Sequence, residues 1–187
     1  MTNTTTVRRV HNLGETEIHA LSDVLIDCVA GGAGVGFMHP LSRDAAVAFW
    51  TKVARGVAAG ERALLVAEDD RGVCGTVQLI LALPENQPHR ADVAKMLVHT
   101  RARRRGLGEA LMRAAEGVAR EHGRTLLVLD AVTGGDASRL YERLGWAKVG
   151  DIPNYAVGPY GAPNSTTYYY RDLGTEERPW ASTSSNS

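Results

Sequence analysis

Between Val98 and Gly108 the chain changes character three times, and few architectures accommodate the change. An apolar run ends at Val98. A basic stretch follows, with Arg101, Arg103, Arg104 and Arg105 ahead of Gly106. From Leu107 onward, Leu107, Ala110, Leu111, Ala114, Ala115 and Val118 recur at the helical period, which predicts a core-facing helix over 107–122. Glu109–Arg113 and Glu116–Arg120 are spaced for ion pairs one turn apart, and Gly123 supplies the stop. A helix entered from such a turn aims unpaired backbone N–H groups and its positive end at one point, where a phosphate or pyrophosphate binds. On pattern alone an ordinary basic turn before a surface helix fits as well, because neither the G-x-G-x-x-G nor the P-loop spacing is present.

The rest of the chain supplies alternating elements around that turn. Helical spacing of Ile18, Leu21, Leu25, Cys28 and Val29 predicts a helix over 15–30, stopped by Gly31-Gly32. Residues 31–41 are apolar but too rich in glycine for a strand interior. Ser42 caps a second helix over 43–59, with Phe49, Trp50, Val53, Ala54 and Val57 on one face. Strands are expected over 7–10, 63–68, 73–83, 91–99, 125–129, 147–152 and 166–171, with a short helix over 137–144. The Asp69–Gly72 cluster reads as a hairpin turn, and 125–129 reads as a strand covered on both faces. This order predicts three layers: a largely antiparallel sheet with one parallel crossover and helices on both sides.

Composition narrows the function. With 187 residues, 44% of them hydrophobic, the chain suits one compact domain. Its 21 basic and 21 acidic residues cancel, which gives no electrostatic reason to expect nucleic acid or an anionic membrane. No apolar run reaches membrane-spanning length and the N-terminus has no signal-like core, so a cytoplasmic protein is expected. Cys28 and Cys74 read as buried free thiols. The six histidines show no ligand spacing, so no metal is expected. His39 reads as a solvated loop residue, and His122 as a cation suited to a helix end. Tyr168-Tyr169-Tyr170 reads as sheet core and sheet surface in alternation. The Ser- and Thr-rich tail over 175–187 reads as disordered.

Two motifs then carry a resemblance. Arg103-x-x-Gly106-x-Gly108 behind an apolar strand resembles the acetyl-CoA signature of the GNAT superfamily of N-acetyltransferases. Ala137, Tyr141, Gly145 and Trp146 are similar in spacing to that family's A-x-x-x-Y-x-x-x-G-F element, with Trp in place of Phe. The resemblance covers roughly residues 7–174. It implies a GNAT-like α/β (α+β) single domain over 1–174, with a mixed, mostly antiparallel seven-stranded sheet, helices on both faces and splayed parallel central strands.

The resemblance also implies roles. Arg103, Arg104, Arg105, Gly106, Leu107 and Gly108 would hold the pyrophosphate of acetyl-CoA through backbone N–H groups. Leu97 and Val98 would pair with the pantetheine and supply an oxyanion donor. Tyr141 would protonate the departing thiolate, and Asp130 or Asp92 would take the proton of the attacking amine. Against these stand plainer readings: a cap or turn carboxylate for Asp130, a surface strand residue for Asp92, and a core tyrosine for Tyr141. Val35, Phe37 and Met38 are the expected acceptor contacts. Gly134 stands where the family often has a cofactor-binding Asn, so no side-chain contact is expected there. The expected acceptor is a small-molecule amine, as in a detoxification or resistance enzyme acting on a toxin or a β-lactam amino acid; protein or peptide acetylation and a non-catalytic acyl-CoA sensor are the alternatives. A homodimer through the C-terminal strands is also implied.

Overall fold

The computed structural model describes residues 5–174. Its elements run β1 (Thr6–Val10), α1 (Glu15–Ala30), α2 (Arg43–Ala58), β2 (Arg62–Asp69), β3 (Gly72–Ile80), β4 (Arg90–Val98), α3 (Leu107–Glu121), β5 (Leu126–Val132), α4 (Asp136–Arg143), β6 (Ala147–Val157) and β7 (Pro163–Asp172). One sheet takes all seven strands in the order β1-β2-β3-β4-β5-β7-β6. Only β4 and β5 are parallel, and they pair only from Arg90↔Leu126 to Asp92↔Val128 before separating. This is the mixed seven-stranded GNAT-like fold that the sequence predicts.

Alternation along β2 shows how the layers form. Ala63, Leu65 and Ala67 belong to one core with Leu111 and Met112 of α3 and Tyr141 of α4. Leu64 and Val66 belong to a second core with Leu21 and Leu25 of α1 and Trp50 and Val53 of α2. A strand buried on both sides must be apolar at every position, and 63–67 is. Ser42 caps α2, its side chain accepting from the Ala45 N–H. Asp69 accepts from the Arg71 N–H at 3.0 Å and so shapes the β2–β3 hairpin.

Three expectations change. β5 is not fully covered on both faces: Leu127 and Leu129 enter the α3 core, while on the alternate face Leu126 and Val128 are only half-buried and Asp130 opens to a cavity. β6 extends five residues beyond the expected end, through Pro153 to Val157. It is an edge strand, where a proline removes no ladder hydrogen bond, and its register breaks between Ile152 and Ala156. His122 is no cation at its helix end. Burial and then Arg9 lower its pKa, and its Nε2 lies 2.7 Å from Arg9 Nη2, which requires a neutral ring that accepts.

Cys28 and Cys74 are buried and free. Among the described residues no helix is long and apolar enough to cross a membrane, and no cluster of three or more His, Cys, Asp or Glu could hold a metal. The expected disordered tail lies outside the described residues.

Candidate active site

The turn after β4 is built from two anchors. Asp27, in the last turn of α1, accepts from the Thr100 N–H at 2.8 Å and from its hydroxyl at 2.7 Å. Asp69, in the β2–β3 hairpin, takes Arg101 at 2.5 Å and lies 3.8 Å from Arg105. Of the four arginines, two therefore face the hairpin. Arg103 turns inward, its Nε donating to the Val98 carbonyl at 3.1 Å. Arg104 is exposed and lies 3.9 Å from Asp136.

Gly106 closes the turn at φ +77°, a left-handed conformation that glycine adopts without strain, and it is the N-cap of α3. It offers no capping side chain, so the N–H groups of the first turn of α3 stay unclaimed by a cap. Gly108 lines a cavity and also meets a packing constraint. A Cβ there would meet Leu140 Cδ2 at 2.8 Å, so its smallness lets α4 pack against α3.

Where β4 and β5 separate, a cavity of about 740 Å³ opens. It joins the turn (Arg103, Arg104, Gly106 to Glu109) to β4 residues 93–98, to Asp130 and to Tyr141. Leu97 and Val98 are on its wall; Arg105 is not.

Tyr141 is placed by α4, whose start is tied to β5 by Ser138 Oγ donating to the Val132 carbonyl at 2.8 Å. Its ring is buried, edge-on to Tyr169 at 6.0 Å and beside Trp146 at 5.9 Å. Burial, reinforced by the charge of Asp130, pushes its pKa far up, so the phenol stays protonated and keeps a proton to donate. Asp130 shows the opposite preparation. Partial burial raises its carboxyl, while Lys95 and a backbone hydrogen bond hold it down. A raised carboxylate is a stronger base. Asp92 lies on the same sheet face, and its pKa is raised by burial and by Asp130, but its oxygen is 3.4 Å from Arg90 and it does not line the cavity.

The glycine-rich loop after α1 forms another wall. Val35 lines the cavity, whereas Phe37 packs edge-on against Phe49 at 5.3 Å and Met38 is exposed to solvent; neither lines it. Gly34 approaches β5 so closely that a Cβ would meet Val132 Cγ2 at 2.7 Å. The loop is tied across to the β6–β7 turn. The His39 N–H donates to the Pro159 carbonyl at 3.0 Å, and the Tyr160 hydroxyl donates to the Ala30 carbonyl at 2.7 Å.

Residues that sequence reasoning missed complete the site. Lys95, Tyr155, Asn164 and Thr166 line the cavity. Tyr168 stands opposite Asp130 in the β5–β7 register, its hydroxyl 2.8 Å from that of Tyr155. That contact, with burial and the charge of Asp130, pushes Tyr168 up to about 12. Strand alternation placed Tyr168 and Tyr170 together, but nothing in the local pattern marked their face as the open one.

Residues 60–148 match the family model described as the acetyltransferase (GNAT) domain. Among solved structures, yncA of Salmonella typhimurium, assigned as an acetyltransferase and bound to its cofactor acetyl-CoA, superposes with a TM-score of 0.76 at 20% identity, covering 95% of this chain and 98% of its own. A structure assigned as a phosphinothricin N-acetyltransferase gives 0.73 at 19% identity, with 92% and 100% covered. The ribosomal-protein-alanine N-acetyltransferase of Brucella melitensis gives 0.75 at 20% identity, with 89% and 99% covered. The matched domain supports an acyltransferase enzyme, and the solved structures share its fold.

Proposed function

We propose that this GNAT-fold acyltransferase moves the acetyl group of acetyl-CoA to the nitrogen of a small amine. One observation carries the reading: a single cavity connects an uncapped helix N-terminus beside Arg103 and Arg104 to a raised carboxylate and a protonated phenol. Residues 103–108 would hold the pyrophosphate, with the free N–H groups of α3 as donors. The separated edges of β4 and β5 near Leu97 and Val98 would receive the pantetheine as an added strand. Asp130 takes the proton of the attacking ammonium, directly or through water. A β4 N–H near Leu97 or Val98 stabilises the oxyanion of the tetrahedral adduct. As the oxyanion collapses and the carbon–sulfur bond breaks, Tyr141 donates its proton to the departing thiolate, and the extra proton on the acyl nitrogen leaves through water and restores the phenol. Asp92, engaged by Arg90 and off the cavity wall, serves as an electrostatic neighbour of Asp130 in this scheme.

The tie between the loop after α1 and the β6–β7 turn favours a small acceptor. An extended peptide needs an open groove, and the hydrogen bonds from His39 and Tyr160 bridge one edge of the cavity. Within the GNAT superfamily, residues 31–38, 86–98, 126–130 and 168–174 also resemble the tabtoxin resistance acetyltransferase, which motivates a detoxification role. The Brucella relative names a protein acceptor instead. We place the enzyme in the cytoplasm, which supplies acetyl-CoA and keeps Cys28 and Cys74 reduced. A homodimer formed at the β6 edge is part of the same reading.

Calorimetry with acetyl-CoA and mass spectrometry of an amine library test it together. Binding of the cofactor with acetylation of small amines supports the proposal. Acetylated peptides with unmodified small amines would move the acceptor to protein. Absence of acetyl-CoA binding removes the whole reading.

A further inference from the structure

β4 carries one residue too many opposite β3. Three steps from Ala94 to Leu97 face two from Gln78 to Thr76. Lys95 sits in that bulge at φ +51°, a conformation uncommon for a residue with a side chain. Bulges of this kind re-aim side chains beside functional sites. Lys95 lies on the cavity wall, on the strand opposite Asp130, with its ammonium 5.7 Å from the centroid of the Phe49 ring. Partial burial lowers its pKa and Asp130 is the charge that opposes this, so its positive charge is poorly compensated. Among the described residues no carboxylate lies within 4 Å of the ammonium, and Asp92, the other acid on that face, is engaged by Arg90. The remaining cations of the cavity, Arg103, Arg104, Arg139 and Arg143, come from the α3 turn and from α4. Of the cavity's cations, Lys95 alone comes from β4, the strand that faces Asp130.

We infer that Lys95 is a specificity residue that binds a carboxylate of the acceptor while Asp130 receives its amine, so that the enzyme selects small zwitterionic amines of amino-acid type. This rests on the proposed amine acetylation and deepens it. A cation and an anion on facing strands of one cavity are complementary to an ammonium and a carboxylate on one small molecule. A neutral or purely cationic amine would leave the Lys95 charge without a partner and would place two cations near each other.

Matched acceptors test the assignment: α-, β- and γ-amino acids, each beside its carboxamide and its decarboxylated amine, assayed for kcat/KM at saturating acetyl-CoA. The expected result is a preference of about 10- to 100-fold for the acid in at least one set, the size of one charge-assisted hydrogen bond. Lys95→Gln should remove that preference through KM and leave the carboxamide within about 3-fold, while Lys95→Arg retains it. Calorimetric binding of acetyl-CoA by each variant reports that it has folded. If Lys95→Gln does not fold, Lys95→Met takes its place, with the same loss of preference expected. Equal rates for acids, carboxamides and amines in the wild type would overturn the inference and leave the amine acetyltransferase standing. An equal loss on acid and carboxamide in Lys95→Gln, measured at a pH above the acid limb of both enzymes, would overturn it too. No acetylation of any acceptor, with acetyl-CoA bound, would take the proposed function down as well.

Discussion

Asp130 acts on the proton affinity of four neighbours: Asp92, Lys95, Tyr141 and Tyr168. A residue at the centre of such a set should dominate the chemistry. Asp130→Asn is expected to lower kcat by about 10²- to 10⁴-fold, with the acetyl-CoA Kd from calorimetry within about twofold of wild type. Tyr141→Phe keeps the packing against Tyr169 and Trp146 and removes only the proton donor. Because a thiol pKa near 8.5 already makes the thiolate a fair leaving group, its loss in kcat should fall at or below about 10²-fold. The pH dependence follows from direction. The Asp130 carboxyl is raised, and the base works only when ionised, so activity is present above that raised pKa and is lost as pH falls through it. Lys95 holds the carboxyl down. Lys95→Gln should therefore move the acid limb of kcat/KM to higher pH, measured with a carboxamide acceptor so that acceptor binding does not change. Tyr141 and Tyr168 stay protonated across that range and do not contribute to the limb.

At the scale of elements, two close-fitting segments shape the cavity, and each can be perturbed alone. Gly106→Ala places a side chain at φ +77°. That should cost about 1–2 kcal/mol, lower Tm by several degrees and weaken acetyl-CoA binding while the acceptor KM changes less. Gly34→Val would collide with Val132 and lift the loop after α1. The expected outcome is a raised acceptor KM with acetyl-CoA affinity unchanged. Helices and inner strands were legible in the sequence because apolar period and turn residues agree at those places. The β6 extension was hidden by Gly150 and Pro153, which break a strand pattern everywhere except at an edge. The phosphate turn was legible as backbone, but the directions of its arginines were not. Arg101 and Arg105 turn toward Asp69, more than 30 positions away, and no local pattern reports that pairing. Lys95 escaped for a related reason, since a bulge is a property of two strands and not of one.

On the scale of the whole molecule, the sheet ends in an unshielded strand. β6 pairs on one side only and exposes Val149, Ile152, Tyr155 and Val157. Such an edge is a template for a second chain. Sedimentation velocity should find a dimer that Ile152→Lys shifts toward monomer; a wild-type monomer at tens of micromolar would remove the dimer from the account. At the middle of the same sheet lies the opposite arrangement, since three residue pairs are all that join β4 to β5. The sheet thus has two halves, β1–β4 and β5–β7, that share the core under α3 and part at one end like the covers of a half-opened book. A cosubstrate lying in the opening would lace the covers together. Amides on both sides of the gap should then exchange hydrogen more slowly when acetyl-CoA is present, and heat resistance should rise with its concentration.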